Sequence, residues 1–373
     1  MINICFFGDF KATFPARIRL SEDVKALLNA SDVNVCNFES PIGDTEIKHR
    51  INNLILNQPI GSAEFIKNVG FNVVLLGNNH IMEHGAEEFI ATLNAFSDVV
   101  AVGAGKPQEA YSVRTIDVKG KTLGFISCVH HEFGVIESPH SLDSYGAAWV
   151  NAQEWESIIN DAKHNVDYLF VCPHVGVEHI FAPLPEWRSI YRRFIDWGAD
   201  AVIGYHPHTP QGWEKYKGKP IFYSLGNFYF DYIGNRPTEY WDNGLSAIFQ
   251  IDDNEIKWEA KPFIKKNGEI LWDNSAKTMR HMKFLQQLIE SESKYNDYID
   301  MTCCKLFKMY RYYALRGIGG MSLKGGVMQV AKTTLAMLLD RRNERALLNM
   351  FQCESHRWVV ERYLRNRILN QKL

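Results

Sequence analysis

The stretch "VIGYHPHTPQG" carries two histidines, His206 and His208, on either side of Pro207, directly after an apolar run. Alternate side chains on an extended segment point the same way, and a following proline biases His206 towards that conformation. The two imidazoles are therefore expected to face one spot. Four upstream apolar runs end in the same manner. "FFGDF" delivers Asp9; "NFESP" delivers Asn37 and Glu39; "LLGNNH" delivers Asn78, Asn79 and His80; "VCPHVGVEH" delivers His174 and Glu178. Carboxylates, amides and imidazoles in one set suit a divalent metal such as Zn, Fe, Ni or Mn, and the lack of cysteine argues against a structural zinc site. His130 and His131 also follow an apolar run and are a further source of imidazole, but ordinary loop histidines is the favoured reading.

These groups need a frame that brings strand ends to one rim. Short runs rich in Val, Ile and Phe alternate with amphipathic patterns up to about residue 265. Strands are expected near 2–7, 33–38, 72–76, 122–128, 168–172, 201–203 and 220–223, and helices near 21–29, 62–69, 85–96, 152–163 and 185–197. Such alternation predicts layered α/β architecture, with ligands outside the carboxyl ends of the strands. Adjacent strands at 112–128 and 245–262 predict antiparallel additions. Asn227 and Asp231, in "SLGNFYFD", read equally well as a turn after a strand or as a substrate contact.

Of the 373 residues, 46% are hydrophobic and 23% charged, a globular balance with ample material for a core. Charge is unevenly spread. Residues 277–373 hold 18 Lys and Arg against 8 Asp and Glu, leaving 23 basic and 35 acidic residues elsewhere. That asymmetry predicts two parts, residues 1–275 and a basic helical extension at 276–373, with an anionic contact surface on the second. No run of 18 apolar residues and no leader pattern is seen. Cys5, Cys36, Cys128 and Cys172 sit inside strand-like runs, which suits buried thiols in a reducing compartment. The expected location is cytoplasmic, or peripheral at the inner face of the membrane. "GVMQVAKTT" lacks the glycine of a P-loop, and no specific nucleic-acid partner is indicated.

Taken together, "FFGDF", "NFESPI", "LLGNNHIMEHG", "HVGVEH" and "GADAVIGYHPHTPQGWEKYKGKPIFYSLGNFYFD" resemble the successive motifs of the CapA family, the bacterial capsule or poly-γ-glutamate biosynthesis proteins. The resemblance covers residues 2 to 262. That family is similar to the calcineurin-like metallophosphatases. The resemblance implies a four-layer α/β/β/α sandwich with a C-terminal helical extension, and a cofactor of one or two divalent ions, Mn, Fe, Zn or Mg. It implies metal ligands at Asp9, Glu39, Asn79, His174, His206 and His208, with His80 as the catalytic group that meets the leaving oxygen. Lys11, Glu178, Asn227 and Asp231 become substrate-contact positions. Two departures stand out. Lys11 occupies the place of a first-metal histidine, and Tyr205 intervenes between Gly204 and His206.

The expected function is a metal-dependent hydrolase acting on phosphate ester bonds, serving a bacterial surface polymer. An enzyme that makes or breaks amide bonds in poly-γ-glutamate assembly is the alternative, and a non-catalytic accessory that holds a polyanion is the third. Expected partners are an anionic polymer or phosphorylated substrate, and a membrane surface or biosynthetic complex met by the basic C-terminal helices.

Overall fold

The computed structural model describes residues 1–43, 56–142, 144–231, 238–252, 255–317 and 344–370. The described chain forms two units, one reaching Ser291 and the other starting at Glu292. The first unit runs past the 275 read from sequence because helix Ala276–Glu290 sinks Met282 and Leu285 into the core between two sheets.

The first sheet has nine strands. From its centre to one edge, Ile2–Lys11, Val33–Phe38, Val73–Leu75 and Val100–Val102 run parallel. Helices Glu22–Ala30, Ile60–Asn68 and Ala86–Ala95 lie between them in sequence. Strands Asn243–Ile251, Ile256–Lys266 and Glu269–Trp272 add antiparallel pairs beyond Ile2–Lys11. The second sheet has six strands. Lys121–Val129, Tyr168–His174, Ala201–Ile203 and Lys219–Phe222 are parallel, and Arg114–Val118 and Trp213–Tyr216 close the edges antiparallel.

Strands covered on both faces read as continuous apolar runs, which is why the central ones were legible. One face of the first sheet supplies Ile4, Phe6, Val35 and Val73 to a core shared with Phe125, Phe170 and Ile203 of the second. Phe6 meets the Phe125, Phe170 and Phe249 rings at centroid distances of 6.3, 5.2 and 5.5 Å. The other face packs Phe7, Phe10 and Phe38 on helix residues Val24, Leu28, Ala63, Ile66 and Phe89. Helices Trp155–Lys163 and Pro185–Asp196 cover the second sheet, burying Trp155 and Trp187. The layers are therefore α/β/β/α.

One strand corrects the sequence reading. Asn227–Phe230 is not a turn; it pairs parallel with Ile2–Lys11 and sets Asn227 beside Asp9. Gly8 permits this, since a Cβ there would lie 1.8 Å from the Gly226 carbonyl oxygen. The Asp9 amide donates to that oxygen at 2.9 Å.

The second unit is helical over Glu292–Gly317, Glu344–Gln352 and Glu354–Asn370. Its interior includes Tyr295, Ile299, Cys303 and Val359, and the Phe307 and Tyr363 rings stack at 3.9 Å. Residues 318–343 of the expected helical extension lie outside the described residues.

Candidate metal centre

Five parallel-strand ends deliver their polar residues to one point. Asp9 follows Gly8 on the first strand and is fully buried. Its Oδ1 accepts from Asn37 Nδ2 at 2.8 Å and its Oδ2 from the His206 amide at 3.2 Å. Glu39, also fully buried, leaves the next strand. Its Oε1 has no hydrogen-bond donor among the described residues. Three imidazoles face that oxygen: His208 Nε2 at 3.4 Å, His80 Nε2 at 3.7 Å and His174 Nε2 at 3.8 Å. Asn79 Oδ1 and His206 Nδ1 both point at His174 Nε2, from 3.0 and 3.2 Å. Ligand atoms of Asp9, Glu39 and His174 fall within 4.8 Å of one another. All six residues read as metal ligands thus share one cluster.

His206 does not adopt the extended conformation that Pro207 was expected to impose. Its φ is 97°, and His208 follows at 56°. The reason is tertiary: the His206 amide is held by Asp9, and the Tyr205 amide by Pro173 O at 3.0 Å. Backbone in the left-handed half of the map costs a β-carbon residue of order 1–3 kcal/mol and persists where surroundings over-determine it.

Burial governs the charges. It pushes the Asp9 carboxyl up to about 7, although Asn37 and the His206 amide pull the other way. Burial, and then the Asp9 charge, hold Glu39 well above the usual carboxylate range. Burial also drives His174 and His206 far below the usual imidazole value and His208 down to about 4. The result is two carboxyl groups short of counter-charge beside three imidazoles whose charged form burial disfavours. The carboxylate, amide oxygen and imidazole donors, with one buried carboxylate oxygen lacking a donor, fit a divalent cation.

His80 differs. Burial lowers its affinity for a proton, but Glu83, 2.8 Å from Nδ1, outweighs this and raises its pKa. The remaining sequence candidates are more scattered. Asn227 Oδ1 lies 2.9 Å from His208 Nδ1, behind the ligand shell. Lys11 is buried, and its ammonium donates to Thr13 Oγ1 at 2.9 Å rather than to Asp9 or Glu39. Asp231 accepts from the Thr13 amide at 2.7 Å, which ties down the strand end. Glu178 is half exposed at the rim, with His179 at 3.5 Å.

Asn37 was read among the polar strand ends without a role, and His130 and Glu132 were not placed in the cluster. Asn37 donates to Asp9 and stands 3.2 Å from His174 Nδ1. His130, read as an ordinary loop histidine, is fully buried, with its ring 4.5 Å from that of His206. Glu132 accepts from Asn79 Nδ2 at 3.1 Å. The signal for the last two was the same one that found the others, a polar cluster after the apolar run "TLGFISCV".

Two packed sheets with a carboxylate–amide–imidazole cluster on their parallel strand ends define an α/β/β/α protein with a candidate metal centre. Comparison of sequences makes this narrower. The profile of the family "Bacterial capsule synthesis protein PGA_cap" matches residues 16–232, and the chain belongs to that family. It is 33% identical over 256 residues to the "Capsule biosynthesis protein CapA" of Bacillus anthracis, covering 64% of this chain and 62% of that protein. It is 30% identical over 253 residues to the "PGA biosynthesis protein CapA" of Bacillus subtilis (strain 168), covering 66% and 61%. The matches therefore span less than two thirds of these relatives' length. Among solved structures it is similar to the calcineurin-like phosphoesterase YfkN of Bacillus subtilis, at 13% identity and a TM-score of 0.40, over 70% of this chain and 90% of that one. No described helix is long and apolar enough to cross a membrane.

Proposed function

We propose that the protein is a metal-dependent hydrolase of the phosphoesterase type, acting in the assembly of a bacterial capsule or surface polymer. One observation carries the reading. A buried Glu39 oxygen without a hydrogen-bond donor among the described residues is faced by the buried imidazoles of His208 and His174, and a cation would resolve both features at once. A bound divalent ion supplies an acidified water and neutralises charge on a phosphoryl oxygen. Asp9, Glu39, Asn79, His174, His206 and His208 are the residues that would hold it.

The chain's own groups do the rest. Glu83 stands 2.8 Å from His80 Nδ1 and strengthens the ring's hold on a proton, while Nε2 looks towards Glu39. Placed there, His80 donates that proton to the leaving oxygen, a step worth about 10²–10⁴ in rate. Phe230 and Trp241 close on the His208 ring at 4.7 and 5.2 Å and keep bulk water from that side. Glu178, at the rim, and the buried Lys11 are the proposed substrate contacts, with the Lys11 ammonium suited to an anionic group.

A second reading draws on relatives' names. Two matching proteins of Mycobacterium tuberculosis, 28% identical over 199 residues, are called "Probable polyglutamine synthesis accessory protein". On that reading the same centre serves amide chemistry or holds a polyanion. The test is to measure metal content after purification without chelators, then hydrolysis of p-nitrophenyl phosphate and its bis ester with added Mn²⁺. Turnover that is lost in the Glu39→Gln variant supports the hydrolase. Bound metal without turnover on either ester supports the second reading.

A further inference from the structure

Asparagine coordinates a cation through its oxygen only; the amide nitrogen has no lone pair to offer. A buried asparagine ligand therefore needs something to fix which end faces the metal. For Asn79 the oxygen faces His174 Nε2 at 3.0 Å, and the nitrogen has two neighbours. One is His80 Nε2 at 3.3 Å, which accepts in one tautomer only. The other is Glu132 Oε2 at 3.1 Å, which is acceptor-only when ionised and needs no tautomer. The second oxygen of Glu132 stands 3.3 Å from His130 Nε2. The His130 ring in turn meets the His206 ring edge-on at 4.5 Å, with an interplanar angle of 75°. A carboxylate just beyond strand Lys121–Val129 thus hydrogen-bonds a candidate ligand delivered by another strand end.

We propose that Glu132 is a positioning residue of the metal centre: its Oε2 accepts from Asn79 Nδ2 and so fixes which end of that amide faces the cation. The proposal rests on the metal-centre reading above. Outer-shell partners of this kind orient ligands and typically contribute 10–100-fold to metal affinity. Glu132 makes no contact with the cation in this scheme. Its effect is transmitted through which atom Asn79 presents.

Cobalt(II) alone is the probe, added to the full chain, with affinity read by titration calorimetry and geometry by the visible absorption of the bound ion. Glu132→Met removes both acceptors at similar size and should weaken binding about 10–100-fold with an altered spectrum. Glu132→Gln keeps one acceptor oxygen and should stay within about threefold of the parent. Asn79→Asp presents oxygen in either orientation, so adding it to Glu132→Met should recover most of the lost affinity. A purely structural role for Glu132 would not be rescued that way. If Glu132→Met does not fold, Glu132→Ala takes its place in the same cycle. Cobalt affinity and spectrum unchanged in the truncated variant, or no recovery on adding Asn79→Asp, overturns the proposal. A parent chain that takes up no cobalt overturns the metal-centre reading itself, and this inference with it.

Discussion

His174 Nε2 and His206 Nδ1 face each other at 3.2 Å, at the ends of two neighbouring parallel strands. Burial disfavours the charged form of both rings, and two N–H groups cannot face each other at this distance, so at most one of the two nitrogens carries a proton. A cation uses both lone pairs and needs no proton. Replacing His206 by leucine should therefore lower Mn²⁺ affinity by at least the roughly 10–100-fold typical of lost outer-shell partners. Calorimetric titration measures this, and unchanged affinity would remove His206 from the ligand set.

Glu39→Gln separates metal binding from stability. A buried carboxylate without compensation is costly, and a neutral amide of equal size avoids part of that cost. The metal-free variant should melt no lower than the parent, while Mn²⁺ no longer raises its melting temperature. A marked drop in metal-free stability would show that Glu39 is held by interactions other than those seen here.

His80→Ala tests the proton donor. Turnover on a phosphate ester with a poor leaving group should fall about a hundredfold or more, with metal content unchanged. An activated ester, whose leaving oxygen needs no proton, should lose far less. Loss of metal together with activity would make His80 a ligand.

The network around Glu214 supplies a pH dependence away from the metal centre. Burial raises the Glu214 carboxyl, but hydrogen bonds from Arg192, Tyr223 and Arg188 outweigh it and bring the pKa from 4.5 to about 2. Arg192 Nε and Arg188 Nη2 both lie 2.7 Å from its oxygens, and the Tyr223 hydroxyl donates at 2.6 Å. The folded value lies below the unfolded one, so the stabilisation is complete above pH 4.5 and is lost as pH falls through about 2. After allowance for solvent screening it amounts to about 2 kcal/mol. Glu214→Gln should lower stability at pH 7 by about that much and flatten its acid dependence across this window, as followed by urea unfolding. A parallel acid profile in parent and variant would contradict the assignment.

The C-terminal helix Glu354–Asn370 exposes Arg357, Arg365 and Arg367 together with Leu364 and Ile368. Basic and apolar side chains on an exposed surface suit an anionic lipid interface, one of the contacts expected of this unit from its charge. Full-length protein should co-sediment with phosphatidylglycerol-containing vesicles at low salt and release as salt rises, since the Debye length is about 10 Å at 0.1 M. Arg365→Glu with Arg367→Glu should abolish this. Binding that ignores both salt and charge reversal would end the idea.

Much of the chemistry was readable in order along the chain. Asp9, Glu39, Asn79, His174, His206 and His208 each follow an apolar run, and a parallel strand buried on both faces must end where its polar residues begin. The rim was therefore implied by pattern alone, as were the central strands and the helices between them. Three features were not, because each depends on pairing between distant segments. Asn227–Phe230 became a strand only because Gly8 lets Gly226 approach the first strand. His206 took a positive φ against its local preference because Asp9 holds its amide across 197 residues of chain. His130 and Glu132 look like any loop residues until the second sheet sets them against His206 and Asn79. Residue type and strand order fix which polar groups arrive at the rim. The orientation of each donor atom comes from hydrogen bonds between strand ends that no local pattern encodes.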